Sequence, residues 1–246
     1  MLPYLRFLRR KKFFFPHEFH IMRKLWLYAY MVRVSSAIED DKVSGIPNAG
    51  SGQEGERMLE NVFNEHIGVI ESLRDGFAAE KVENAGFLIN STLSKGNKLL
   101  LCGNGGSAAD CQHIAAEMVV RFERERQALP AIALTTDSSI LTAHANDYEF
   151  KTVFSRQVEA IGVRGDCLIA ISTSGNSENV LEAVKHAKLG ELSTIGLTGN
   201  GGGRLADAVD IPVVIPSNVT ARIQEAHILV AHWWCQVVDN YGVQGR

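Results

Sequence analysis

The sequence lacks the marks of several protein classes. Its four cysteines, Cys102, Cys111, Cys167 and Cys235, have no short paired spacing, which argues against a disulfide framework. Three of them lie in apolar strand or helix patterns, where a free buried thiol is the usual reading. That usage points to a reducing cytoplasm. The apolar run Leu25–Val32 is too short to span a bilayer. It has no small-residue cleavage site, so it does not read as a secretory signal. A formal net charge of -3 argues against general nucleic-acid binding. There is no G-x-G-x-x-G and no Walker lysine, which argues against a dinucleotide fingerprint and against nucleotide hydrolysis. No repeat of fixed period is visible.

What remains is ordinary soluble material. The 246 residues are 46% hydrophobic and 22% charged, enough for one large domain or one domain with an appendage. The charge is unevenly placed. Residues 1–57 hold 10 Lys+Arg against 6 Asp+Glu, and the remainder holds 15 against 22. LRRKKFFF and RKLWLYAYMV mix basic and aromatic residues near the start. That mixture could form a membrane-surface helix. The plainer reading is a segment outside the functional domain, because Met58 opens a clean amphipathic pattern. Residues 43–56, KVSGIPNAGSGQEG, read as a linker. The expected organisation is a non-catalytic extension and linker over 1–57 and a functional domain over 58–246.

From Met58 the pattern is regular. Leu59, Val62, Phe63, His66, Ile67 and Ile70 fall at helical spacing. A second helix is expected from about Ala79 to Leu93. Five short apolar runs follow, Lys98–Cys102, Ala131–Thr135, Cys167–Ser172, Thr194–Thr198 and Ile211–Ile215, each bounded by Gly, Pro, Asp or Ser. The stretches between them are long enough for crossover helices. The fold class is therefore α/β, a doubly wound five-stranded parallel sheet flanked by helices, with helices preceding it. Ligands bind such sheets at the carboxyl ends of the strands.

Two loops sit at such ends. In Leu99–Glu117, LLLCGNGGSAADCQHIAAE, an apolar run breaks into Asn104-Gly105-Gly106-Ser107 before a helix-prone segment. Ser172-Thr173-Ser174-Gly175-Asn176-Ser177 repeats the arrangement. Glycines permit positive φ and close backbone approach. Backbone N–H groups at a helix start favour an anion, and hydroxyls add donors without charge. Either loop alone could be a tight turn and a cap. Two at equivalent strand ends favour a phosphorylated small molecule.

His113 and Glu117 share a helix face at i and i+4. In the last helix pattern, Gln224 and His232 lie eight residues apart, roughly 80° around the axis, with His227 on the other side. Flanking Ile228, Leu229, Val230, Trp233 and Trp234 make that helix buried, so its polar groups need partners. One carboxylate, two imidazoles and one amide could bind a zinc-like ion. Alternatively, Glu117 and His232 could act as base and acid without metal.

The ordered set CGNGGSAAD-x-x-H-x-x-x-E, AND at 145–147, STSGNS and RIQE-x-H-x-x-x-x-H resembles the sedoheptulose-7-phosphate isomerase (phosphoheptose isomerase) family of the sugar isomerase, or SIS, fold. The resemblance covers about Met58 to Asn240; residues 1–57 match nothing in that pattern. It implies conversion of D-sedoheptulose 7-phosphate to D-glycero-D-manno-heptose 7-phosphate, towards lipopolysaccharide heptose. It implies a cytoplasmic homotetramer with sites between subunits and one Zn2+ per subunit. The implied zinc ligands fall on His113, Glu117, Gln224 and His232. The implied substrate contacts fall on Asn104, Gly105, Gly106, Ser107, Glu117, Asn146, Asp147, Ser172, Thr173, Ser174, Ser177 and Gln224. The implied base is Glu117 and the implied acid His232. Some members have Asp where this chain has Ala221, which leaves the metal set intact. RFERER-x-x-LPAIAL-x-TD also resembles the non-catalytic DiaA-like proteins that bind a replication initiator. Those lack the Glu and final His that this chain keeps. A sugar-phosphate-sensing regulator would need a DNA-binding domain, and residues 1–57 show no helix-turn-helix pattern.

Overall fold

The apolar runs become strands β1 (Leu99–Gly103), β2 (Ala131–Ala133), β3 (Cys167–Ser172), β4 (Ser193–Thr198) and β5 (Ile211–Val214). A computed structural model describes residues 52–242. The strands are all parallel, in the order β2-β1-β3-β4-β5. Every residue of β1 and β3 is buried, as a sheet covered on both faces requires.

Among the described residues eight helices surround it: α1 (Gly52–Asp75), α2 (Ala78–Ser94), α3 (Gly106–Val119), α4 (Ser138–Asp147), α5 (Val153–Ile161), α6 (Glu178–Leu189), α7 (Gly203–Ala208) and α8 (Thr220–Tyr241). Strand alternation sorts the core into two layers. Leu99, Leu101, Ile169, Ile171 and Ile195 join Ile89 of α2, Ile114 and Met118 of α3 and Trp234 of α8. Leu100, Cys102, Leu168 and Ala170 join Val158 of α5, Val184 of α6 and Leu205 of α7. All four cysteines are free and buried. Among the described residues no helix is long and apolar enough to cross a membrane.

Two expectations at the start of the domain change. Gly52–Glu56 belong to α1 rather than to a linker. The helix tolerates two glycines there because Glu54 complements its amino-terminal dipole and the turns behind are already nucleated. The rest of the expected linker, and the surface-helix reading near the start, lie outside the described residues. The apolar stripe of α1 is present but only half used. Val69 and Ile70 pack on the core and Leu73 is buried, while Leu59, Phe63 and Ile67 are 55%, 58% and 52% exposed.

The order of strands fixes where a ligand can sit. The chain steps from β1 outward to β2, then returns past β1 to begin β3. The loops after β1 and β3 therefore diverge and leave a crevice at the carboxyl edge. The opposite edge is sealed. There Asp166 accepts from Lys98 N at 3.0 Å, Lys98 Nζ at 2.6 Å and Val163 N at 2.9 Å.

Candidate functional site

The crevice is framed by the two loops read from the sequence. Gly105, with φ 55°, turns the chain into α3. Its carbonyl accepts from Ala108 N and Ala109 N, and no side chain caps the helix. Asn104 spans the crevice and exchanges two 2.9 Å amide bonds with Asn179 of α6. Gly106 packs directly under the Gln224 amide, and a Cβ there would push the end of that side chain aside. Gln224 is thereby placed against the glycine loop from α8.

The serine loop forms a hydroxyl cluster. Ser172 Oγ lies 2.9 Å from Ser177 Oγ and 3.5 Å from Ser174 Oγ. Ser174 Oγ also accepts from Asn176 N at 3.2 Å. Ser177 is the residue before α6, yet its side chain makes no cap bond. The hydroxyl faces the cluster instead, which leaves the first N–H groups of α6 available to an anion.

A third loop, Gly199-Asn200-Gly201-Gly202-Gly203, which is not among the residues expected from the sequence, braces this cluster. Thr173 O accepts from Gly199 N at 3.2 Å and Asn200 Nδ2 at 3.0 Å. Arg204 binds Asn176 O at 3.1 Å and Glu178 at 2.5 Å. A Cβ on Gly203 would lie 2.7 Å from Ser174 O. Three glycines in four residues at a strand end were the available signal.

At the far side of α3, three titratable groups gather. His113 Nε2 lies 2.9 Å from His232 Nε2 and 3.5 Å from Glu117 Oε1. Phe122 stacks on His232 with ring centroids 5.2 Å apart and planes inclined by 27°. Asp110, one turn before His113, was not singled out in the sequence. Burial raises its carboxyl above the ordinary range against the pull of His113, and its Oδ2 is buried without a partner. His227 is wholly buried, and neither ring nitrogen finds a partner. Burial lowers its pKa to about 4. It is a neutral core residue on the side of α8 away from His232.

Not every expected contact converges. Asn146 and Asp147 are exposed at the end of α4, and Asn146 Nδ2 donates to Asp147 Oδ1 at 2.8 Å. Among the described residues neither bonds to the two loops. Gln224 precedes His232 by roughly 12 Å of helix rise and rests on Gly106 rather than among the imidazoles.

The donor chemistry of His113, Glu117 and His232 fits a zinc-like ion. Two imidazole nitrogens on one tetrahedral zinc stand roughly 3.3 Å apart, given bonds of about 2.0–2.1 Å. The 2.9 Å pair therefore needs to open by only a few tenths of an ångström. Among the described residues no three His, Cys, Asp or Glu side chains already form a metal-holding group. Here the imidazoles bond each other, and Glu117 reaches His113 alone.

Comparison with known proteins follows the same lines. The SIS domain model matches residues 63–199. A phosphoheptose isomerase of Campylobacter concisus is 53% identical over 181 residues, 74% of this chain and 91% of that protein. The structure of a phosphoheptose isomerase from Neisseria gonorrhoeae superposes with a TM-score of 0.70 at 44% identity, covering 75% of this chain and 98% of that one. One from Francisella tularensis gives 0.73 at 38% identity, over 76% and 98%.

Proposed function

Since this chain belongs to the SIS domain family, we propose that it is a phosphoheptose isomerase. It interconverts D-sedoheptulose 7-phosphate and D-glycero-D-manno-heptose 7-phosphate through an enediol, supplying the heptose of lipopolysaccharide. The observation that carries this reading is the cluster of Glu117, His113 and His232 on helices that open at the anion-ready crevice. The initiator-binding alternative is not favoured, because Glu117 and His232 both join that cluster.

The chemistry divides along the substrate. The Ser172, Ser174 and Ser177 hydroxyls, with the N–H groups at the start of α6, hold the phosphate, and Thr173, Ser107, Gly105 and Gly106 line the same crevice. Asn104 and Gln224 hold sugar oxygens. Asn146 and Asp147 are assigned substrate contacts on the resemblance alone. A phosphate fixed at one end orients the reacting carbons at the other. Glu117 takes a proton from one of C1 and C2 and returns it to the other. His232 delivers a proton to oxygen and helps open the ring. Zn2+ would be held by His113, Glu117 and His232, with Gln224 assigned to the set on the resemblance alone, and would supply positive charge near substrate oxygen. Glu117 serves as base only when one of its oxygens is free of the metal.

The assembly proposed is a cytoplasmic homotetramer with sites between subunits. The exposed Leu59, Phe63 and Ile67, one helical turn apart on α1, support it. The functional domain begins near Met58.

Purified protein incubated with sedoheptulose 7-phosphate in deuterated water, with and without chelator, tests the reading. Isomerisation with deuterium entering at C1 or C2 is expected. No turnover with any divalent metal, together with tight binding to a replication initiator, would overturn it.

A further inference from the structure

The last turn of α3 carries Glu117, and a single guanidinium reaches two of its carbonyls, one of which, Met118 O, also accepts from Leu129 N at 3.1 Å. Helix carbonyls at a carboxyl end have no intrahelical donors. Arg126 Nη2 donates to Glu117 O at 2.7 Å, and Nη1 donates to Met118 O at 2.8 Å and Gln127 O at 3.0 Å. Its Nε donates to Asp239 Oδ1 at 2.8 Å. The other carboxylate oxygen, Oδ2, accepts from Glu123 N at 2.9 Å and Arg124 N at 3.0 Å. Both side chains are nearly buried, at 8% and 3% exposure. Burial alone would raise the Asp239 carboxyl. The Arg124 and Glu123 amides and the Arg126 guanidinium outweigh it and hold the group below its ordinary range.

Asp239 stands on α8 seven residues after His232. Two helical turns place the two about 20° apart on one face. Helices α3 and α8 are thus joined at two levels. One is the His113–His232 bond, and the other is the carbonyl of Glu117 tied through Arg126 to Asp239. The second tie fixes the axial position and roll of the turn that presents Glu117 to His232. The RFERER segment has no other use in the site described.

We propose that Arg126 and Asp239 are positioning residues for the isomerase reaction, holding Glu117 in register with His232. The proposal rests on the reading of Glu117 as base. A planar fork is needed, because only a guanidinium reaches Asp239 and two successive carbonyls together. Lysine keeps the charge and can reach one or two of those acceptors.

The test is Arg126→Lys in the full chain, with Asp239→Asn beside it. Displacing a reacting group by about 1 Å costs on the order of 10²-fold in rate. We expect kcat to fall by about that factor in Arg126→Lys, with KM changed less than about threefold. The phosphate cradle does not touch the clamp, so inorganic phosphate should bind both variants as it binds the native chain. Arg126→Ala should regain part of its kcat in millimolar guanidinium and none in ammonium of equal ionic strength. An unchanged kcat in Arg126→Lys would overturn the proposal. So would a rise in KM matching the fall in kcat, or equal rescue by ammonium. Glu117→Gln assayed in the native background separates the two ideas. If it remains active, the base assignment has failed; if it is dead while Arg126→Lys is native-like, only the clamp has failed.

Discussion

The serine loop and the Glu117 cluster are built in opposite ways. Ser172, Ser174 and Ser177 lie within six residues, and their hydroxyls contact one another without leaving the β3–α6 turn. His113 and His232 are separated by 119 positions and meet only because α3 and α8 pack side by side. In the proposed reading the loop would work through backbone N–H groups, short hydroxyls and a helix start, so local conformation makes it. The cluster works through long side chains on two helices, so its geometry depends on everything that sets their register. A phosphate grip tolerates small errors because several weak donors share one anion. Proton transfer between adjacent carbons does not.

The sharpest way to break the comparison is at the reacting end. Glu117→Gln keeps size and hydrogen-bonding capacity but cannot take a proton. We expect a loss of roughly 10²–10⁴-fold in kcat or more, with sugar phosphate still bound and no deuterium exchange at C1 or C2. His232→Gln should be impaired severely, and His227→Gln far less, because His227 is buried on another side of α8. Exchange that persisted in Glu117→Gln would assign the base elsewhere.

Acid should loosen the helix region before the loops. An unfolded histidine protonates near its ordinary value of 6.5, whereas buried His227 resists until about 4. The unfolded chain then binds the extra proton, so stability falls as pH drops from about 6.5 to 4. At ~1.4 kcal/mol per pKa unit the loss is at most about 3.5 kcal/mol. Urea melts of the native chain and His227→Leu at pH 7 and pH 4.5 read it directly. A difference independent of pH would assign the sensitivity to another group.

At the loop, Ser172→Ala and Ser174→Ala should each weaken phosphate binding by about 1.5–3 kcal/mol. KM should rise more than kcat falls, since the contact is remote from the reacting carbons. Equal affinity for phosphorylated and unphosphorylated heptulose would remove the phosphate assignment. The smallest effect is expected from a chain beginning at Met58. It should keep kcat/KM and assembly mass, because every motif assigned to either region lies after it in the sequence. A soluble but inactive truncation would bring the extension into the site.

Much of this was legible in the residues. Strand punctuation by Gly, Pro and Ser marked all five strands to within a residue or two. The positions of His113 and Glu117 on one helix face followed from spacing alone. The Asn104–Asn179 exchange and the support of the serine loop by Gly199–Gly203 were not legible, because each joins segments that no sequence period relates. The start of α1 was misplaced for a different reason. Glycine argues for a linker locally, but an established helix extends over Gly52 and Gly55 at little cost.

The sequence by itself determined the class of sheet, the two glycine- and serine-rich loops at strand ends and the kinds of side chain in the His113–Glu117–His232 cluster. Those depend on apolar periodicity, on glycine's backbone freedom and on residue chemistry, all of which are local. Tertiary structure alone decided that β1 and β3 would be neighbours with their loops diverging. It also decided that His232 would meet His113 while Gln224 stayed at Gly106, and that Arg126 would close on Asp239. These depend on how buried faces pack against each other across more than a hundred residues, and packing has no signature in any single segment.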